Sequence, residues 1–245
     1  MIAVTFALPA ESAGFLRRLH KKSTTDRNGV RVIRGEIDNP EMIGAREALA
    51  SRTVEVVHTG VGEKVCRDRM AKFLQDRQFD CLISAGFAGA LNDHLHVGDL
   101  LLAENFSTVH LTEARSALST LSVHAAALST VPSMIESREE RNKIAQTTGA
   151  AAVDMETKFI ARACAEHGTL LLSLRVISDT PSKPLPAPAN VLFNMERQQT
   201  DLTKLTLHFL KDPGAIPRLI AFVRKIAQAR EILANAILGV MRGIM

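Results

Sequence analysis

The stretch Thr169–Asp179, TLLLSLRVISD, decides the fold. Apolar residues run through it almost without alternation, and the run stops at Ser178-Asp179-Thr180. A continuous apolar segment of this length suits a strand buried on both faces of a sheet, whereas a strand with one wet face alternates. Working outward, comparable runs stand at Ile2–Ala7, Val54–His58, Cys81–Ala85, Leu100–Ala103, Val123–Leu128 and Gly149–Val153. Each leads into a turn or a helical pattern. Lys64–Asp76 sets Val65, Met70, Phe73 and Leu74 near helical spacing. Asp154–His167 does the same with Met155, Ile160, Ala163 and Cys164, with Asp154 as cap and Gly168 at the C-terminal stop. Strands alternating with helices predict an α/β fold. The expectation is a single three-layer α/β/α domain around a mixed central sheet over residues 1–245, with a C-terminal helical extension from about 196 to 245.

Composition narrows the function. The chain has 245 residues, 46% of them hydrophobic and 23% charged, with a mean hydropathy of +0.06, which excludes disordered, collagen-like and coiled-coil classes. Trp and Tyr are absent, so a stacking platform for single-stranded nucleic acid is not expected. The net charge of +4 is spread along the chain except at Arg17–Lys22, RRLHKK, which reads as the solvated end of a helix. Cys66, Cys81 and Cys164 are odd in number, lack CxxC spacing and sit in apolar stretches. They read as reduced core thiols of a cytoplasmic protein. The N-terminal segment lacks the basic start and apolar length of a signal peptide, and no apolar run is long enough to span a membrane.

In open α/β sheets, ligands bind beyond the carboxyl ends of the strands. There the sequence puts Glu11, Gly60 and Gly62, the Gly86–Gly89 turn, Glu156 and Asp179. Glycines let a backbone approach a ligand closely, and acids there bind hydroxyls or carry protons. Each acid also has a plainer reading: Asp179 as a loop cap, Glu156 as a favourable charge in a first helical turn, Glu11 as the start of a helix through Arg18.

At these same residues the chain resembles the nucleoside phosphorylase superfamily, which includes purine nucleoside phosphorylases and methylthioadenosine/S-adenosylhomocysteine nucleosidases. The segments that carry the resemblance are Ala7–Glu11 (ALPAE), Thr59–Gly62 (TGVG), Ser84–Asp99 (SAGFAGALNDHLHVGD), Val153–Glu156 (VDME) and Arg175–Asp179 (RVISD), and it runs from about residue 2 to 180. It implies cleavage of the N-glycosidic bond between ribose and a purine, with no cofactor or metal. By the same resemblance Asp179 is the acid that meets N7 of the departing purine, Glu156 holds ribose hydroxyls with Met155 under the sugar, and Glu11 orients the attacking water. The Gly86–Gly89 turn, with Phe87, Ala88 and Gly89, then lies beside the nucleophile, Gly62 is a further substrate-binding position, and the purine-binding loop falls near Met134 and Ile135. A protonated Asp179 fits an apolar setting after a buried strand.

Several positions depart from the family pattern. Phe87 stands where a serine is common, the Ala7–Glu11 loop lacks an arginine, Met134 and Ile135 replace a stacking aromatic, and Ser107–Ser122 is short. Leu185-Pro186 and Pro213–Pro217 are similar to phosphorylases associated with hopanoid biosynthesis. Pro181–Pro188 reads as a lid or crossing loop. Gly60-Val61-Gly62 is no dinucleotide fingerprint, because Val65 replaces the third glycine, and Asp93, His94 and His96 lack the further ligands a metal needs.

The last segment, Ile216–Met245, repeats Ile216, Leu219, Val223, Ile226, Leu233, Ile237, Val240 and Ile244 at near-heptad spacing. It reads as a helix packed on the domain or on a second copy in a homo-oligomer, with an amphipathic membrane-surface helix as the alternative. The expected activity is hydrolysis of a purine nucleoside, most naturally an adenine one. A phosphate-dependent phosphorylase, on a lipid-linked adenosine if the tail is a guide, is the alternative, and a non-catalytic nucleoside-binding protein is the reading from another class.

Overall fold

A computed structural model of the chain describes residues 1–38, 51–188, 191, 194, 214 and 216–243. The strands are β1 (Ile2–Phe6), β2 (His20–Arg27), β3 (Val30–Asp38), β4 (Ser51–His58), β5 (Cys81–Ala90), β6 (Leu100–Ala103), β7 (Val123–Ala126), β8 (Leu128–Thr130), β9 (Ala152–Asp154) and β10 (Leu170–Asp179). The helices are α1 (Pro9–Leu16), α2 (Glu63–Leu74), α3 (Leu111–Ala117), α4 (Arg138–Thr148), α5 (Thr157–Glu166) and α6 (Ile216–Gly243).

All ten strands form one mixed sheet whose main path runs β2-β3-β4-β1-β5-β10-β6-β7. At its centre β4, β1, β5 and β10 are parallel, so Phe6, His58, Ala90 and Asp179 end on the same edge. Antiparallel neighbours flank that block: β3 beside β4, and β6 beside β10. The strand β9 pairs with β5 at Gly89–Ala90 and with β8.

Alternation along β1 builds the three layers. Ile2, Val4 and Phe6 pack with Phe15 of α1 and with Leu233, Ile237 and Val240 of α6. Ala3 turns to the other face, where Met70 and Phe73 of α2 meet Ile160 and Cys164 of α5. The central strands are therefore apolar on both sides, as their continuous runs require. The three cysteines are buried and free.

Two expectations change. The Gly86–Gly89 stretch is not a turn but the end of β5, paired with Arg175–Asp179. Arg17–Lys22 is not a helix end throughout: α1 stops at Leu16, and His20–Lys22 open β2. That strand, HKKSTTDR, is exposed at every position, so no apolar alternation announces it. The helix α4 is likewise polar, buries only Arg141, and is set by its ends instead. Ser137 caps it by accepting from the Glu140 amide at 3.1 Å, and Gly149 closes it at φ +69°, a conformation that favours glycine.

The helix α6 divides in two. Its C-terminal half buries Ala229, Leu233, Ala236, Ile237 and Val240 against the domain, while Ile216, Ile220 and Val223 remain exposed. The proposed extension over residues 196–213, and Ile244, lie outside the described residues.

Candidate active site

The carboxyl ends of β1, β5, β9 and β10 surround a cavity of about 420 Å³. Glu11, Phe87, Ala88, Gly89, Met134, Ile135, Met155, Glu156 and Asp179 all line it. Gly62 stands behind the wall, where its amide donates to Glu156 Oε1 at 2.9 Å.

Each acid arrives by a different local device. Glu11 is the third residue of α1, and Pro9 opens that helix with a φ already suited to it. Its Oε2 accepts from the amide of Leu8 at 3.0 Å, and its Oε1 accepts from the amide of Phe87 at 3.2 Å. Glu11 thus serves its own helix start and also reaches the site. Phe87 thus contributes through its main chain. A Cβ on Gly86 would stand 3.3 Å from Glu11 Oε1, so the strand passes close beneath this carboxylate.

Glu156 occupies the N-cap position of α5, yet its side chain makes no cap bond. It turns to Gly62 across the cavity wall. Capping passes to Asp154, whose carboxylate accepts from the Thr157 amide at 3.1 Å. Asp154 in turn pairs with Arg175 at 3.0 Å, and Arg175 also donates to the Ser84 carbonyl at 2.6 Å and the Ser84 hydroxyl at 2.9 Å. This buried hub ties β5, β9 and β10 together directly under the acids.

Asp179 is aimed by an irregularity in the β10–β5 pairing, where the register shifts between Ile177 and Asp179. Such a bulge re-aims a side chain. Its Oδ1 accepts from the Ser178 hydroxyl at 2.6 Å, and its Oδ2 is paired with Arg141. Arg141 is itself fixed by the carbonyls of Ala90 at 2.6 Å and Ile135 at 2.9 Å. A Cβ on Gly89 would meet Asp179 Oδ2 at 3.1 Å and Arg141 Nη1 at 3.3 Å, so this pair leans on bare backbone. The setting of Asp179 is therefore ionic, not the apolar one expected from the strand before it.

Burial dominates the electrostatics at the opposite end. Glu156 is pushed from an ordinary 4.5 up to about 8, first by loss of hydration and then by the negative Asp154, with the Gly62 amide pulling the other way. Glu11 is also raised by burial, against the amides of Leu8 and Phe87 and the charge of Arg175. The three site carboxyls are each at most 8% exposed. The arrangement can present two desolvated carboxyls to one side of a ligand and an ion-paired carboxylate to the other.

Sequence reasoning missed Arg141, which no pattern in the polar α4 singles out. It quoted Arg175 without giving it a role, although a cation inside an apolar strand run is itself a signal of a buried partner. It also missed that Leu219, Phe222, Val223 and Ile226 of α6 roof the cavity. Asp93, placed beside two histidines, instead binds Arg138 at 3.0 Å and the Ser182 amide at 2.9 Å.

The family model described as the phosphorylase superfamily matches residues 108–211. A comparison with curated proteins gives no match. Among solved structures, the chain is similar to the 5′-methylthioadenosine/S-adenosylhomocysteine nucleosidase of Streptococcus pneumoniae in complex with a transition-state inhibitor, at 19% identity and TM-score 0.69, covering 100% of this chain and 99% of that one. It is also similar to the Campylobacter jejuni nucleosidase of the same name, at 15% identity and TM-score 0.70 with 98% of each chain covered. The Helicobacter pylori futalosine hydrolase aligns at 14% identity and TM-score 0.69, over 98% of this chain and 96% of that one. These likenesses extend the shared fold over the N-terminal segments that the family model does not reach.

Proposed function

We propose, from the match of residues 108–211 to the phosphorylase superfamily and the likeness of the fold to nucleosidases, that this chain hydrolyses the N-glycosidic bond of a purine nucleoside, with an adenine nucleoside as the natural substrate. The observation that carries the reading is the convergence of Glu11, Glu156 and Asp179, all buried, on one cavity.

In this reading the purine lies between Met134, Ile135 and Phe222, with its N7 edge toward Asp179, and the ribose rests over Met155 with its hydroxyls on Glu156. As the C1′–N9 bond breaks, its electron pair moves onto the purine and positive charge grows on the sugar. Asp179, after taking a proton from solvent and giving up its pairing with Arg141, delivers that proton to N7, and Arg141 then stands behind it on the side where negative charge develops. Water closes on C1′, and its proton passes to Glu11, whose burial favours taking one. Ribose and free base leave. Glu156 holds the ribose hydroxyls and, above pH 8 where its carboxyl is ionised, stabilises the sugar cation through them.

A second reading, a lipid-linked adenosine met at an anionic membrane surface, is favoured by one observation. Ile216 and Ile220 are exposed on one side of α6, and Val223, itself half exposed, borders them while lining the cavity with Leu219, Phe222 and Ile226. Among the described residues no helix is long and apolar enough to cross a membrane. One experiment tests both readings: adenine release from several 5′-modified adenosines, with and without phosphate, and with and without anionic vesicles. Release from small substrates without phosphate is expected. Strict dependence on phosphate would make the chain a phosphorylase, dependence on vesicles would select the lipid-linked substrate, and binding without release would make it a non-catalytic nucleoside-binding protein.

A further inference from the structure

Beside the acid-lined cavity lies a second one of about 570 Å³ with the opposite charge. The two share Ile135, Arg141, Ser178, Leu185 and Phe222, so the second opens onto the Asp179 end of the first. Glu11, Met155 and Glu156 do not line it. Among the described residues, Lys183 and Lys225 stand on its wall, besides Arg141, whose charge Asp179 balances, and Arg218 and Glu136, which have interactions of their own.

The helix α6 makes both walls with adjoining stripes. Leu219, Phe222, Val223 and Ile226 face the acid cavity, while Arg218, Ala221, Phe222 and Lys225 face the second. The second stripe follows i, i+3, i+4, i+7 spacing, one face of a helix, with Phe222 at the seam. The opposite wall is the proline-rich run Pro184–Pro188 with Lys183 before it, and prolines hold that wall with little conformational freedom. The antiparallel bridge between Thr180 and Lys183 fixes where the run begins. Such a chamber has the shape of a pocket and carries two lysines on its walls among the described residues.

We propose that this chamber binds a carboxylate-bearing substituent on the 6-position of the purine. The proposal rests on the purine reading of the first cavity. With N7 at Asp179, the exocyclic group at C6 lies on the same edge of the ring and projects past Ile135 and Ser178 into the chamber. Lys183 and Lys225 then meet its carboxylates. The enzyme is selective for purine nucleosides whose leaving base carries an acid, and the charge contact is made outside the reacting atoms.

The test compares adenosine with its N6-(1,2-dicarboxyethyl) derivative, in the wild type and in a Lys183→Ala/Lys225→Ala double variant. Both lysines are exposed, so the variant leaves the packed core untouched. The wild type is expected to favour the derivative in kcat/KM, and the variant to lose about five- to thirtyfold on it with adenosine unaffected, the scale of two partly exposed charge contacts. Raising the salt should shrink the preference in the same way. Calorimetry with the two free bases and with inorganic phosphate runs alongside. Cleavage of adenosine with no preference for the derivative overturns the chamber and leaves the nucleosidase reading standing. Lysine-dependent preference for the carboxylated base without cleavage does the reverse. Lysine-dependent binding of phosphate alone, or of anionic vesicles, with no preference between the bases, assigns the cations to a free anion or a membrane surface and overturns the proposal.

Discussion

The guanidinium of Arg141 is buried against Asp179, pinned by the carbonyls of Ala90 and Ile135 on its other side. Removing one partner of such a pair leaves an uncompensated charge in the interior. Arg141→Met is expected to lower unfolding free energy by about 3–5 kcal/mol in a urea titration, and pairing it with Asp179→Asn should restore much of the loss. A loss in the double variant equal to the sum of the two single losses would show that the two side chains do not interact.

Asp179→Asn alone removes the proton but keeps a group able to hydrogen-bond with the purine. It should lower kcat by roughly 10²–10⁴-fold while nucleoside binding survives, the range for general acid catalysis. Wild-type turnover in this variant would end the assignment.

The position of Asp179 was legible in the sequence because it terminates a buried run, and the same is true of Glu11 and of Glu156 after VDME. Their partners were not legible. Arg141 comes from a helix that is otherwise mostly solvated, so its burial is decided by the carbonyls of Ile135 in the preceding loop and of Ala90 on β5, far away in sequence. Gly86–Gly89 reads locally as a turn, and only pairing with β10 makes it a strand. The exposed strand β2 owes its existence to β3, since its own residues bury nothing. Core positions carry a one-dimensional signal through periodicity, whereas ion pairs and edge strands depend on contacts that periodicity does not encode.

Glu156 links pH to stability. Its carboxyl sits near 8 in the folded chain against about 4.5 when exposed, so the folded state holds the proton more tightly between those values. Stability contributed by the protonated form is therefore lost as pH rises through that window, with a slope of up to about 1.4 kcal/mol per pH unit. Thermal melts of Glu156→Gln should show a smaller decline from pH 5 to 8 than the wild type. Parallel curves would remove Glu156 from the cause.

The same carboxyl should set ligand preference. Above pH 8, where the carboxyl is ionised, Glu156→Gln is expected to weaken ribonucleosides by about 1.5–3 kcal/mol, the range for a hydrogen bond to a charged group. A 2′,3′-dideoxy analogue should bind the wild type poorly and hardly notice the substitution. Equal losses on both ligands would make the residue structural.

Glu11 bears on the nucleophile. Water must give up a proton as it attacks, and Glu11 is the carboxyl that burial makes receptive, bound to the amides of Leu8 and Phe87. Glu11→Gln should therefore abolish base release in phosphate-free buffer and leave nucleoside binding largely intact. Unchanged release would transfer the role elsewhere.

The most direct test of the account is the origin of the new oxygen on the sugar. An adenine nucleoside turned over in water labelled with heavy oxygen, without phosphate, and analysed by mass spectrometry should give free base and a ribose product carrying one labelled oxygen at C1′. Base release that occurs only when phosphate is added, with an unlabelled sugar 1-phosphate as product, would contradict it.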